Sequence, residues 1–166
     1  MSKNSKPTPH TRLAAKTDAR SERGVAYTDL MFEIFRINNR INAWGDRFSA
    51  GTGLTGARWR VLGSTLPEPK QVSQIARERG MTRQSVQQIA NSLVSDGLAR
   101  FKDNERHKSS KLLEPTTLGR NAILNLNARY ATVADGLSVG CTAAELKAAT
   151  KLLAKLSMQL DIDESS

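Results

Sequence analysis

The sequence predicts a mainly α-helical fold with one small β-hairpin: two short helices joined at a glycine, the hairpin after them, and longer helices on either side. Apolar residues recur every three or four positions in several separate stretches, the pattern of helices that bury one face. Turn residues interrupt that pattern, above all Gly80 and Asp96-Gly97. Residues 98–102 and 111–114 read instead as two short strands, and the polar tip 103–110 between them suits a hairpin loop.

Residues 1–24 carry Pro7 and Pro9, scattered Ser, Thr and Lys and few large apolar side chains, and read as a disordered basic tail. From Val25 to Phe48, the residues Leu30, Ile34, Ile37, Ile41, Trp44 and Phe48 fall on one helical face, widened by Phe32 and Phe35. A lone helix cannot bury so much apolar surface, so this one is expected to pack against other helices or a second subunit. Ser49-Ala50-Gly51-Thr52-Gly53 breaks it. Thr55 is placed to cap a helix through Thr65, with Trp59, Leu62 and Leu66 inward, and Pro67 and Pro69 end it. Val72 to Arg79 forms a short helix with Val72, Ile75 and Ala76 on its apolar face. Gly80 then supplies the positive φ of a sharp turn, and Thr82 caps a helix to about Ser95. After the hairpin, Thr116 or Thr117 caps a long helix through Leu137 carrying Leu118, Ile123, Leu126, Tyr130 and Val133. Gly136 and Gly140 interrupt it. Thr142-Ala143-Ala144-Glu145 is a capping box, opening a last helix with Leu146, Ala149, Leu152, Leu153, Leu156 and Leu160.

At 166 residues the chain suffices for one packed domain or two small lobes sharing a core. A formal net charge of +9 and a pI near 10.1 favour polyanionic partners, nucleic acid before an acidic membrane, although solubility alone accounts for charge equally well. Aromatic content of 5% is too low for a platform that stacks single strands, so duplex is the better fit. Cys141 is the one cysteine, which excludes an internal disulfide and suits a reducing cytoplasm. No apolar run reaches transmembrane length, so no membrane partner is expected, and the amino end lacks the apolar segment of a secretory signal. The two histidines, His10 and His107, have no metal-ligand spacing, and neither a phosphate-binding glycine loop nor a nucleophile elbow is present. An enzyme is therefore not expected, nor a metal or cofactor. Cys141 reads first as a small apolar filler, with redox sensing as the alternative.

In a helix–turn–helix, Ala76 must be small where the second helix crosses, Gly80 makes the turn, and Val86, Ile89 and Leu93 pin the second helix inward. Helical geometry then sends Gln84, Ser85, Gln88 and Ser92 outward, flanked by Arg83 and Gln87. No acidic residue stands between Thr82 and Ser92, unlike the alternating Glu and Lys of an ordinary surface helix. Gln pairs at two points with adenine and Arg with guanine, each good pair giving roughly 1–3 kcal/mol of discrimination. Arg83, Gln84, Ser85, Gln87 and Gln88 are thus the candidates to read bases in duplex DNA. Thr82, together with Arg106, His107, Lys108 and Lys111 of the hairpin, is the candidate set for phosphates or the minor groove. Architectural binding without sequence choice stays open as an alternative, but a phosphate-driven protein would carry more Lys and Arg on this helix.

Leu54-Thr55-Gly56-Ala57-Arg58-Trp59-Arg60-Val61-Leu62, Val72-Ser73-Gln74-Ile75-Ala76, Thr82-Arg83-Gln84-Ser85-Val86-Gln87 and Leu93-Val94-Ser95-Asp96-Gly97-Leu98 follow one another in register. In that order they resemble the MarR family of winged helix-turn-helix regulators, and Thr116-Thr117-Leu118-Gly119-Arg120 resembles the start of the family's first helix after the wing. The resemblance implies an obligate homodimer with a helical dimerisation lobe. The corresponding plan is a tail over 1–24, a first dimerisation helix and linker over 25–53, a winged DNA-binding domain over 54–116, and dimerisation helices over 117–162. It further implies a cytoplasmic transcriptional regulator, usually a repressor, that binds a near-palindromic site with its two recognition helices about one helical turn of DNA apart. Many relatives release DNA when a small aromatic or phenolic acid binds between the lobes, and others respond to cysteine oxidation. Trp44, Arg36, Trp59 and Arg60 are candidates to line such a cavity. The family often closes its wing with Asp-x-Arg or His-Arg-Arg; here His107-Lys108-Ser109 stands in that place, with Arg106 or Lys108 positioned to substitute, and Pro115 replaces the usual leucine.

Overall fold

The computed structural model describes residues 19–105 and 110–163, with side chains through Leu160. Most of the expected tail, and Arg106, His107, Lys108 and Ser109 of the hairpin tip, lie outside the described residues. The chain divides into two compact units, Met1–Phe48 and Ser49–Ser166.

The first unit is built on α1, Glu22–Ser49, which starts three residues before the apolar periodicity because Ser21 caps it: its Oγ accepts from the Gly24 N–H at 3.2 Å. Trp44 and Phe48, one turn apart, stack with ring centroids 4.8 Å apart. Phe32, Phe35, Ile37 and Ile41 stay exposed. At the expected break, Gly51 and Gly53 take φ of 78° and 74°.

The second unit opens with α2, Gly56–Gly63, capped by Thr55, whose Oγ1 accepts from the Arg58 N–H. It stops two residues before the expected Thr65. Thr65 and Leu66 close in i→i+3 turns on Leu62 and Gly63 instead, and Pro67 bars any continuation. Next come β1, Lys70–Gln71, and α3, Val72–Arg79. Gly80 is left-handed at φ 60°, and the Met81 N–H reaches the Ala76 carbonyl at 2.9 Å, closing α3. Thr82 then caps α4, Arg83–Ser95. The hairpin is β2, Ala99–Lys102, and β3, Leu112–Pro115, and the sheet order is β1-β3-β2, antiparallel throughout. The register pairs Phe101 with Leu113 and Gln71 with Leu112. Two long helices follow: α5, Thr117–Leu137, capped by Thr116, and α6, Ala143–Asp163. The expected capping box is formed, with Glu145 N–H donating to Thr142 Oγ1 and Thr142 N–H donating to Glu145 Oε2 at 2.8 Å.

The core of this unit gathers Val61 and Leu62 of α2, Ile75 of α3, Val86, Ala90 and Leu93 of α4, Leu113 of β3, and Ile123 and Leu126 of α5, all fully buried. Each large apolar side chain so buried contributes about 1.5–3 kcal/mol. One expectation shifts: the innermost stripe of α4 is Val86, Ala90 and Leu93, with Ile89 half-buried at its edge. Ala90 is small enough to bring α4 close to its neighbours. The start of α5 sits directly on the exit of α4. A Cβ on Gly119 would lie 1.8 Å from the Leu98 carbonyl oxygen, so only glycine permits this approach.

Candidate nucleic-acid interface

Thr82 holds the start of α4 with an extended backbone and an Oγ1 that accepts from the Ser85 N–H at 3.1 Å. That bond uses the hydroxyl as acceptor and leaves its proton available to a phosphate oxygen. Beyond it, Arg83, Gln84 and Gln88 are exposed, while Ser85 and Gln87 are half-buried. Gln87 Nε2 donates to Asn91 Oδ1 at 2.9 Å, one turn on, which orients both amides along the outward face. Asn91 is an addition to the residues that the sequence pattern marks on this face. Its signal was its spacing, four after Gln87 and seven after Gln84. No acid occurs within α4, and the Asp96 that caps its end is held by Arg58 Nη2 at 2.5 Å.

The fold brings Arg83 and Gln87 of α4, Ser73 of α3 and Lys111 of the hairpin around a cleft of about 250 Å³. Lys111 of the hairpin thus shares this cleft with Arg83 and Gln87 of α4, and Ser73 of α3 is an addition that sequence spacing does not mark. A larger cleft, about 670 Å³, opens between α3 and the β2 end of the hairpin. Its walls mix Glu68, Asp103 and Glu105 with Arg77 and Lys102, a poor setting for a phosphate.

Several basic side chains are committed elsewhere. Lys70 Nζ lies 2.7 Å from Glu78, and Arg100 pairs with Glu114 at 2.6 Å. The hydrogen bond from Lys70, helped by one from Gln74, holds the Glu78 carboxyl below the usual carboxylate range. Arg79 Nε donates to the buried Ser64 Oγ. These contacts brace α3 and the sheet, and among the described residues they leave Arg83 and Lys111 as exposed cations at the α4 cleft, while the exposed Lys102 lines the larger one.

Trp44 and Arg36 belong to the first unit, and Arg36 pairs there with Glu33 at 2.9 Å. Trp59 and Arg60 belong to the second. Trp59 Nε1 donates to Asn127 Oδ1 at 2.9 Å, and its ring meets Tyr130 edge-on, centroids 5.4 Å apart. Cys141 is exposed in the turn before α6, so the apolar-filler expectation does not describe it. Among the described residues no group of three His, Cys, Asp or Glu is placed to hold a metal, and no helix is long and apolar enough to cross a membrane.

A sequence profile described as the MarR family matches residues 52–108, from the linker through α4 and into the hairpin. An uncharacterised protein of Mycobacterium tuberculosis (strain ATCC 25618 / H37Rv) is 33% identical over 131 residues, covering 79% of this chain and 92% of that protein. The fold is shared with a putative MarR family transcriptional regulator from Listeria monocytogenes, solved in complex with 26mer DNA. That match has a TM-score of 0.71 and 18% identity, covering 80% of this chain and 89% of that one. It is shared as well with CouR from Rhodococcus jostii RHA1, bound to p-coumaroyl-CoA, at a TM-score of 0.67 and 16% identity over 76% of this chain and 90% of that one.

Proposed function

The chain belongs to the MarR family of DNA-binding transcriptional regulators, and from that premise we propose that it is a cytoplasmic, ligand-responsive repressor that reads a near-palindromic operator as a homodimer. The observation that carries this is the acid-free polar face of α4, flanked by Lys111 and Ser73 across one cleft. In this proposal Arg83, Gln84, Ser85, Gln87 and Gln88, with Asn91 added, meet base edges in the major groove. Thr82, Lys111, and Arg106, His107 and Lys108 of the hairpin tip hold phosphates or the minor groove. The module over 54–116 supplies this surface, and the helices over 25–53 and 117–162 join two copies.

The effector belongs to the class of small aromatic or phenolic acids. Support comes from the aromatic pair Trp59–Tyr130 beside α5 and from the relative solved with p-coumaroyl-CoA. A second proposal, redox control through Cys141, draws on the exposure of that thiol. A Cys141→Ser protein that keeps its DNA affinity and loses a peroxide response supports redox control; an unchanged peroxide response removes it.

Fluorescence anisotropy on the duplex upstream of the protein's own gene, beside a scrambled duplex and across a salt series, tests the function. Selective binding that persists as salt rises is expected. Equal, salt-labile binding to both duplexes would contradict operator reading and favour an architectural role.

A further inference from the structure

The recognition helix is held from two sides at its C-terminal turn. On one side, Thr116 Oγ1 donates to the Gly97 carbonyl at 2.7 Å, the Thr116 N–H donates to the Leu98 carbonyl at 3.1 Å, and Gly119 lies against that same Leu98 oxygen. This docks the first turn of α5 onto the exit of α4. On the other side, Arg58 of α2 reaches across to Asp96, the residue that caps α4. The adjacent Trp59 contacts Asn127 and Tyr130 instead, about two to three turns further along α5.

These contacts close a triangle. One side runs from α5 to the α4 exit, the second from the α4 exit to α2, and the third from α2 back to α5. The Arg58–Asp96 pair has a half-exposed carboxylate, and exposed ion pairs add little to stability. What such a pair does supply is geometry: it adds a directional tie at the α4 exit to the packing of the shared core. We propose that Arg58, Trp59 and Asn127 are positioning residues that make α2 a rigid strut, so that α4 moves with α5 as one body and any tilt of α5 is delivered to the DNA-reading face. The link to DNA rests on the function proposed above; the strut itself does not.

The experiment measures the distance between spin labels at Gln88→Cys on α4 and Asn125→Cys on α5, in a Cys141→Ser background. Unlabelled protein is added in excess so that any dimer carries labels on one protomer. A narrow distance distribution is expected, broadened in Arg58→Met and in Asn127→Ala while helix content by circular dichroism is kept. The double variant should be no broader than the worse single one, since the two contacts lie in series along one path from α5 through α2 to α4. A charge swap, Arg58→Asp with Asp96→Arg, should narrow the distribution again. Unchanged distributions in both single variants would overturn the proposal, as would broadening that appears only with loss of helix.

A second readout uses unlabelled protein and the tightest duplex selected from a random pool. Each single variant should lose about tenfold in affinity for that duplex and little for a random one. Equal losses on both duplexes, following the fall in Tm, would mark these residues as merely structural. If the unaltered protein fails to discriminate between duplexes, the operator-reading function falls while the label distances still decide the strut.

Discussion

At Gly119 a missing methyl group decides how two helices meet. The Leu98 carbonyl oxygen occupies the space a Cβ would need, at 1.8 Å. Gly119→Ala is therefore expected to cost about 1–3 kcal/mol or more, measured by urea unfolding, because backbone rather than a flexible side chain must give way. Gly80 differs. Nothing crowds it, and its demand is conformational, a φ of 60°. Gly80→Ala should cost about 1–2 kcal/mol from backbone strain alone. That contrast explains what the sequence discloses at this scale. Gly80 was legible because a turn between two amphipathic helices needs a left-handed residue. The need for glycine at 119 was not, because the oxygen that requires it lies 21 positions earlier in the chain. The exchange of Ile89 for Ala90 in the core is likewise set by neighbours distant in sequence.

At the scale of elements, boundaries marked by local chemistry were readable. Thr55, Thr82, Thr116 and Thr142 each accept a backbone N–H three residues on. Thr82→Ala should destabilise the protein by about 1 kcal/mol and loosen the start of α4, the proposed recognition helix. Measured by thermal unfolding and by anisotropy, it should lower both stability and DNA affinity. The Thr142–Glu145 box has a pH signature. Bonds from the Thr142 backbone N–H and then its hydroxyl hold the Glu145 carboxyl below its ordinary value. A carboxyl depressed in the folded state stabilises above its unfolded pKa, and that contribution is lost as pH falls through the folded pKa. Glu145→Gln should thus be less stable than the parent at neutral pH and converge with it in acid. A gap that stays constant across the titration would deny the box this role. Strand β1 escaped the sequence because two residues carry no periodicity, and only its pairing with β3 reveals it.

Over the whole molecule, a single chain leaves much apolar surface uncovered. On α1, Phe32, Phe35, Ile37 and Ile41 are exposed. On α6, every described side chain except the half-buried Leu156 is exposed, including Leu146, Leu152, Leu153 and Leu160. Such surface marks an interface, and a second copy of the chain is the proposed cover. Leu153→Asp should shift sedimentation toward monomer and reduce affinity for a palindromic duplex far more than for a random one. The winged module and its acid-free helix face were legible because both are written in local patterns. The proposed effector is not, since nothing local in the sequence encodes a ligand's shape. That the α4 face of each copy in a pair reads DNA sequence is tested most directly by selection from a random-duplex pool. The unaltered protein should recover two inverted half-sites about one helical turn apart, with preference relaxed at one position of each half-site by Gln84→Ala. A pool that never converges, or one whose consensus Gln84→Ala and Gln88→Ala leave unchanged, would contradict it.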